Sequence, residues 1–527
     1  MWYKAEAYWA SEHAGKYLYD NGLTPIYVSD NPVLNAQHVV FEAAKAYKNG
    51  LPYHAALASV TTAPAYRLGF GKRLGKVKPG YDADIVVWDS DPLSVGATPV
   101  QVWIDGTAQF EHPVKLEKPD AKVMVPDESL AQIVEEPKLL DEVIFTGVSN
   151  VLLPGTSSTS EQQTVVFSNG KITCIGSCVQ HLDTASSSRT PVIKLRNGYL
   201  TNSFTVFGST LGLNAIDAEA TTDNGDTGGS FTRGEDGLRL DDLKLHTAYQ
   251  YGVTKGISAP KFAGGGTHHG TSVGFLTGAL TSLQKDAVFA SDAAVHYTLD
   301  QKAKTGDVQS ISGAVGTLRR KLIEAAALKE SPADVYSESA FLAKVVNGSL
   351  ALVITAHSAD SIASVIKVKT AVEAVTKTKL RVAIFGGAES WLLAKELADA
   401  GVGVILAPLL AYAVEWDQRR SLTGAPLTNG TAIDHLLDAG VTVGIGLEED
   451  WVVRNLGLLA GVAYQNGGGR LSEKEALGLV SGNLYKLLGL EQPRAEEGHF
   501  VVFEGNPLEI GSRVKGVAGG KREMSVF

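Results

Sequence analysis

The sequence predicts an α/β protein organised around a β/α barrel, and three observations support this. Between about residues 240 and 490, helix-like stretches alternate with short apolar runs, the pattern of βα units around a parallel sheet. β-rich segments flank that region on both sides. The stretch 22–50 is paralleled by 440–467, and the likeness continues from 83–106 into 499–520, so part of the pattern is written twice.

The bulk composition sets limits. Of the 527 residues, 44% are hydrophobic and 20% charged, which excludes disordered and fibrous chains. A formal charge of -10 offers no basic stripe, so no nucleic-acid partner is expected. No run reaches the ~18 apolar residues of a membrane span. The longest candidate, 401–414, is interrupted by Pro408 and reads as a buried strand with its loop. Residues 1–20 contain Glu6, Glu12 and Lys16 and lack the apolar stretch of a signal peptide. A cytoplasmic location follows if Met1 is the true start, and a secretory route stays open if the chain is a piece of a longer protein.

Taken in order, residues 1–21 read as a helix closed by Gly22, with Tyr3, Tyr8, Trp9 and Tyr17 turned toward a core. LTPIYVSD (23–30) is a short strand, 36–50 a helix, and 53–68 a helix broken near Pro64. Residues 77–93 and 98–111 are strand-rich, and 113–140 are charged and proline-broken like a linker. Segments 142–153, 162–176 and 190–201 are β-rich, with an Asn169-Gly170 turn. Helices at 313–328, 358–375 and 390–401 then alternate with apolar runs at 350–357, 380–387, 402–408 and 441–448. The end returns to short strands. The expected units are therefore 1–112, 113–140 (linker), 141–200, 201–490 (barrel) and 491–527.

Cys174 and Cys178 stand four apart, and a disulfide across a strand and turn fits as well as two free thiols. His268 and His269 lie in a glycine-rich stretch that reads as a flexible barrel loop. The chain has no phosphate-binding glycine motif and no G-x-S-x-G elbow. The sequons at Asn347 and Asn429 decide nothing.

GKVKPGYDADIVVWDSDPLSV followed by VQVWIDG resembles the tail of amidohydrolase-superfamily proteins, especially imidazolonepropionase-like members. VVFSNGKITCIG and IKLRNGYLT resemble the opening of the same fold. The whole is similar to a tandem, fungal-type amidohydrolase-related protein, with about 1–112 the end of one copy and about 141–527 a second. The resemblance implies a distorted (β/α)8 TIM-type barrel with a flanking β-sandwich domain, plus a partial copy at the N-terminus. It also implies metal-dependent hydrolysis of C–N bonds in non-peptide amides or cyclic amides. Zinc or another divalent metal activates water in such a site, and an aspartate after the last barrel strand moves the proton.

Carried over residue by residue, Asp30 takes the place of that aspartate. In the second copy the His-x-His positions hold Gly208 and Thr210, neither able to replace an imidazole. His357, Glu389 and Glu448 fall at remaining ligand positions, with Glu449 or Asp450 as alternatives to Glu448. A vestigial metal site, or no bound metal, follows. Two readings stay open. One is a hydrolase of small-molecule amides, its site completed by a missing upstream half or a second polypeptide, so that an oligomer is expected. The other is an inactive barrel that serves as a structural or regulatory partner or binds a small molecule.

Overall fold

The computed structural model describes residues 2–119, 137–156, 161–188, 190–262, 267–304, 308–330 and 332–527. Most of the expected linker and the glycine run at 263–266 therefore lie outside the described residues. The strands are β1 (Ile85–Trp88), β2 (Pro99–Ile104), β3 (Thr107–Ala108), β4 (Lys138–Leu140), β5 (Glu142–Leu152), β6 (Gln163–Ser168), β7 (Lys171–Gly176) and β8 (Val192–Asn202). They continue as β9 (Phe204–Phe207), β10 (Thr232–Arg233), β11 (Val253–Ser258), β12 (Gly270–Leu276), β13 (Val288–Thr298) and β14 (Ala351–Ala356). β15 (Val382–Gly386), β16 (Val402–Leu406), β17 (Val443–Ile445), β18 (His499–Glu504), β19 (Arg513–Gly519) and β20 (Met524–Val526) complete them.

The central sheet runs β9-β11-β12-β13-β14-β15-β16-β17, with β10 appended to β12. Every residue of β11, β14, β15 and β16 is buried, as expected of strands covered on both faces. Neighbours are parallel except at β12, which runs antiparallel to β11 and β13. That reversal is what distorts the barrel. The ring closes where the Leu447 N–H donates to the Phe207 carbonyl at 2.9 Å. Below that bond, the carbonyls of Leu479 and Val480 accept from Ile445 and Thr205 at 2.8 and 2.9 Å. Phe207, Ile257, Val353, Ala383, Phe385 and Ile405 fill the interior.

A second sheet, β4-β20-β19-β18-β8-β5-β6-β7, joins strands from before and after the barrel. The Asn169-Gly170 turn between β6 and β7 forms with both residues at positive φ, 49° and 86°, as a type I′ hairpin requires. Cys174 and Cys178 are joined by a disulfide.

The opening residues depart from expectation. In place of one long helix there are a 3-10 turn, Ala5–Ala7, and a helix, Ala14–Asp20. Tyr3 and Tyr17 are exposed and Trp9 is 81% exposed, while Tyr8 packs half-buried against the core as expected and Trp2 is taken fully into it, at 1%. Residues 23–29 form no strand. An isolated strand leaves its backbone groups unpaired, and only the parallel stretch at 443–445 has a neighbour, β16, to pair with. The 53–68 helix breaks into Tyr53–Ala58 and Thr62–Arg67, with Pro64 in the first turn of the second, where its missing N–H costs nothing.

The N-terminal elements pack on the rest of the chain. Lys48 Nζ donates to the Ser512 carbonyl at 2.8 Å and Arg513 Nη2 to the Lys48 carbonyl at 2.5 Å. Ile510 joins Ala43, Leu51, Ala56 and Leu93 in one apolar cluster.

Candidate functional site at the barrel mouth

The parallel barrel strands end on one face, and the residues that follow them bring the ionisable groups together. His357, just past β14, is almost fully buried; its Nε2 lies 3.3 Å from Glu448 Oε1, and its Nδ1 is buried without a hydrogen-bond partner. Burial works to raise the Glu448 carboxyl, but the His357 hydrogen bond and the nearby Lys302 and Lys261 outweigh it and hold Glu448 below the usual range. Two of the sequence-predicted residues thus meet. Lys261, itself buried, reaches the Glu448 carbonyl at 3.5 Å. Next to it, burial and the carboxylates of Asp217, Asp450 and Glu448 push Glu449 up to about 7 against the pull of Lys261.

Glu389 does not join them. Its carboxylate accepts from the Ala359 N–H at 3.0 Å, at the start of the helix Ala359–Thr376. It also accepts from the Arg420 N–H at 3.1 Å and Arg420 Nη2 at 2.6 Å. A carboxylate so engaged anchors a helix and a loop, and its lone pairs are committed.

The two altered positions are informative. Gly208 sits at φ +95°, and a Cβ there would lie 2.2 Å from Phe385 Cε2. The aromatic ring takes the space that a side chain at 208 would need. Thr210 Oγ1 donates to Asp450 Oδ2 at 3.2 Å. Asp30 is exposed in a turn at φ +50°, its carbonyl accepting from the Val33 N–H at 2.9 Å. Two residues on, the Pro32 carbonyl accepts from the Tyr412 hydroxyl in the loop after β16.

His268 was expected in a flexible loop. It is instead buried inside the barrel, its Nε2 3.1 Å from the Gly208 carbonyl and its Nδ1 3.1 Å from Thr355 Oγ1. A carbonyl only accepts, so Nε2 carries the proton and Nδ1 accepts from the threonine. Burial pushes His268 well below the usual histidine range and His296 down to about 3, so both stay neutral. With Phe207 and Phe385 they form one aromatic cluster, ring centroids 5.4–5.8 Å apart.

These residues do not fit a catalytic metal. Thr210 and Gly208 offer no imidazole, both His268 nitrogens are engaged, and Glu389 is tied to Arg420. Among the described residues no three His, Cys, Asp or Glu are grouped to hold an ion.

Sequence reasoning missed the lysines. Lys244, Lys255 and Lys261 are all buried. Lys255 lies at the opposite end of the barrel, where its Nζ donates to Ser203 Oγ at 2.6 Å and Thr254 Oγ1 donates to the same oxygen at 2.7 Å. A lysine inside the otherwise uncharged run VTKGIS was the available signal. No helix among the described residues is long and apolar enough to cross a membrane.

Comparison with known proteins gives three findings. Residues 35–108 match the amidohydrolase family. Over 95% of its length the chain is 52% identical to amidohydrolase tasK of Hapsidospora irregularis, and it spans 56% of that relative's length. The fold is similar to the crystal structure of an amidohydrolase from Thermotoga maritima MSB8, with a TM-score of 0.57 and 19% identity, covering 73% of this chain and 99% of that one.

Proposed function

We propose, from the family match at 35–108 and the 52% identity to an amidohydrolase, that the chain is an amidohydrolase-family protein serving the hydrolysis of C–N bonds in small non-peptide amides, with its complete barrel as a catalytically silent partner. The chemistry then lies with the copy to which residues 1–112 belong. The observation that carries this reading is the filled mouth of the 204–447 barrel, where the Phe385 ring stands against Gly208. The family match at 35–108 supports it, because that stretch follows directly on Asp30. The order of elements supports it too. A helix, two short helices and an antiparallel strand pair occur at 39–104 and again at 456–519.

In this reading Asp30 takes a proton from the attacking water and returns it to the leaving nitrogen, a role worth about 10²–10⁴ in rate. Its site is completed by sequence that a longer protein of this kind carries outside the matched part. The complete barrel supports that site through contacts such as Tyr412 to Pro32.

The test is ammonia or amine release from a panel of amides and lactams by the longer protein. Asp30→Asn is expected to lower turnover by about 100-fold or more while leaving the fold intact. Glu448→Gln is expected to leave it unchanged. The opposite pattern would move the chemistry into the complete barrel.

A further inference from the structure

The loops that follow the first and last barrel strands are tied together by one buried cation. Lys244, on the helix Leu243–Gln250, is 0% exposed. Its Nζ donates to Asp217 Oδ1 at 2.6 Å and to Asp450 Oδ2 at 2.6 Å. Asp217 and Thr210 come from the loop after β9, and Asp450 from the loop after β17. The Thr210 hydroxyl donates to the same Asp450 oxygen at 3.2 Å, and Asp450 Oδ1 is buried with no hydrogen-bond partner.

An enclosed ammonium between carboxylates from two separate loops does the electrostatic work of a metal ion. Its single positive charge offsets one of the two carboxylate charges, and its hydrogen bonds hold both side chains to one point. The donors around it are all oxygens: two carboxylates, one of them with an unused lone-pair-bearing atom, and a hydroxyl. Oxygen-only sets of this kind suit hard divalent ions such as Mg²⁺, Mn²⁺ and Ca²⁺ better than zinc. A side chain supplying the charge needs no ion from solution, and the lock it forms is permanent.

We propose that the Lys244 ammonium occupies a cation site at the barrel mouth, standing in for a hard divalent ion and locking the loops after β9 and β17 together. This rests on the reading of the complete barrel as silent, yet its test is separate, since it concerns a variant and not the metal content of the natural chain.

The experiment is thermal unfolding of the full 527-residue chain and its Lys244→Ala variant, in chelator and then with about 1 mM Mn²⁺, within the range of weak carboxylate sites. In chelator the variant is expected to melt well below the natural chain, because two acids lose their counter-charge. With Mn²⁺ the variant should regain most of that loss, while the natural chain stays where it was. Adding Asp450→Asn to the variant should abolish the response. If Lys244→Ala does not accumulate folded, refolding from urea with and without Mn²⁺ gives the same readout as a folded yield that needs the ion. The proposal is overturned by a variant that Mn²⁺ does not restore, by a recovery that survives Asp450→Asn, or by a natural chain whose melting shifts with Mn²⁺.

Discussion

At the scale of single residues, buried charges decide how this protein responds to pH. Burial lowers Lys255 from the usual lysine range to about 7. Between pH 7 and about 10 the unfolded chain holds that proton and the folded chain does not. Stability from this group therefore rises with pH across that window, by up to about 1.4 kcal/mol per pH unit. Below pH 7 both states are charged and the cost is constant. Lys255→Met should accordingly stabilise the fold in urea by several kcal/mol at pH 6, with the advantage shrinking toward zero by pH 10. A difference that stays constant across pH would contradict this account of Lys255. Glu389 makes the opposite case. Glu389→Ala strands the Ala359 N–H and loosens Arg420, and should cost about 1–3 kcal/mol in denaturant unfolding. These roles were only partly legible. His357 and Glu448 were singled out from the sequence and do meet. Glu389 was singled out too, but its arginine partner lies 31 residues away, which no local pattern reveals.

At the scale of elements, the strands that could be read were those with apolar runs bounded by helices. β14, β15, β16 and β17 lie within the runs at 350–357, 380–387, 402–408 and 441–448. The reversal of β12 was not legible, because period and apolarity are the same for a strand of either direction. The segment 23–30 has strand composition but no neighbour, so it stays irregular. β9 and β15 meet at the mouth, where Phe385 stands against Gly208. Gly208 combines positive φ with an aromatic ring at its α-carbon, so Gly208→Ala should cost roughly 2–4 kcal/mol by strain and overpacking. For the same reason Gly208→His should fail to create a ligand unless Phe385 is also cut back to alanine, which zinc titration of the two variants would show.

At the scale of the molecule, the first hundred residues and the barrel unit are joined by polar contacts around a small apolar cluster. Lys48→Met removes the ammonium from the Ile510 and Ser512 carbonyls. Hydrogen exchange should then quicken in the helix Val39–Lys48 and leave β14–β16 unchanged, whereas uniform quickening would mean that the two parts unfold as one. The sequence suggests a two-part order through its repeat, while the way the first hundred residues seat on β19 depends on contacts across more than 450 residues, which no local pattern reveals. On the reading proposed above, the complete barrel holds no catalytic metal. The most direct measurement is metal content by mass spectrometry on the purified 527-residue chain after dialysis against metal-free buffer. Less than about 0.1 zinc or other transition-metal ion per chain is expected, since among the described residues no closed ligand set is grouped to retain one. About one zinc per chain, lost on His357→Ala, would contradict it and restore the barrel mouth as a working hydrolytic site.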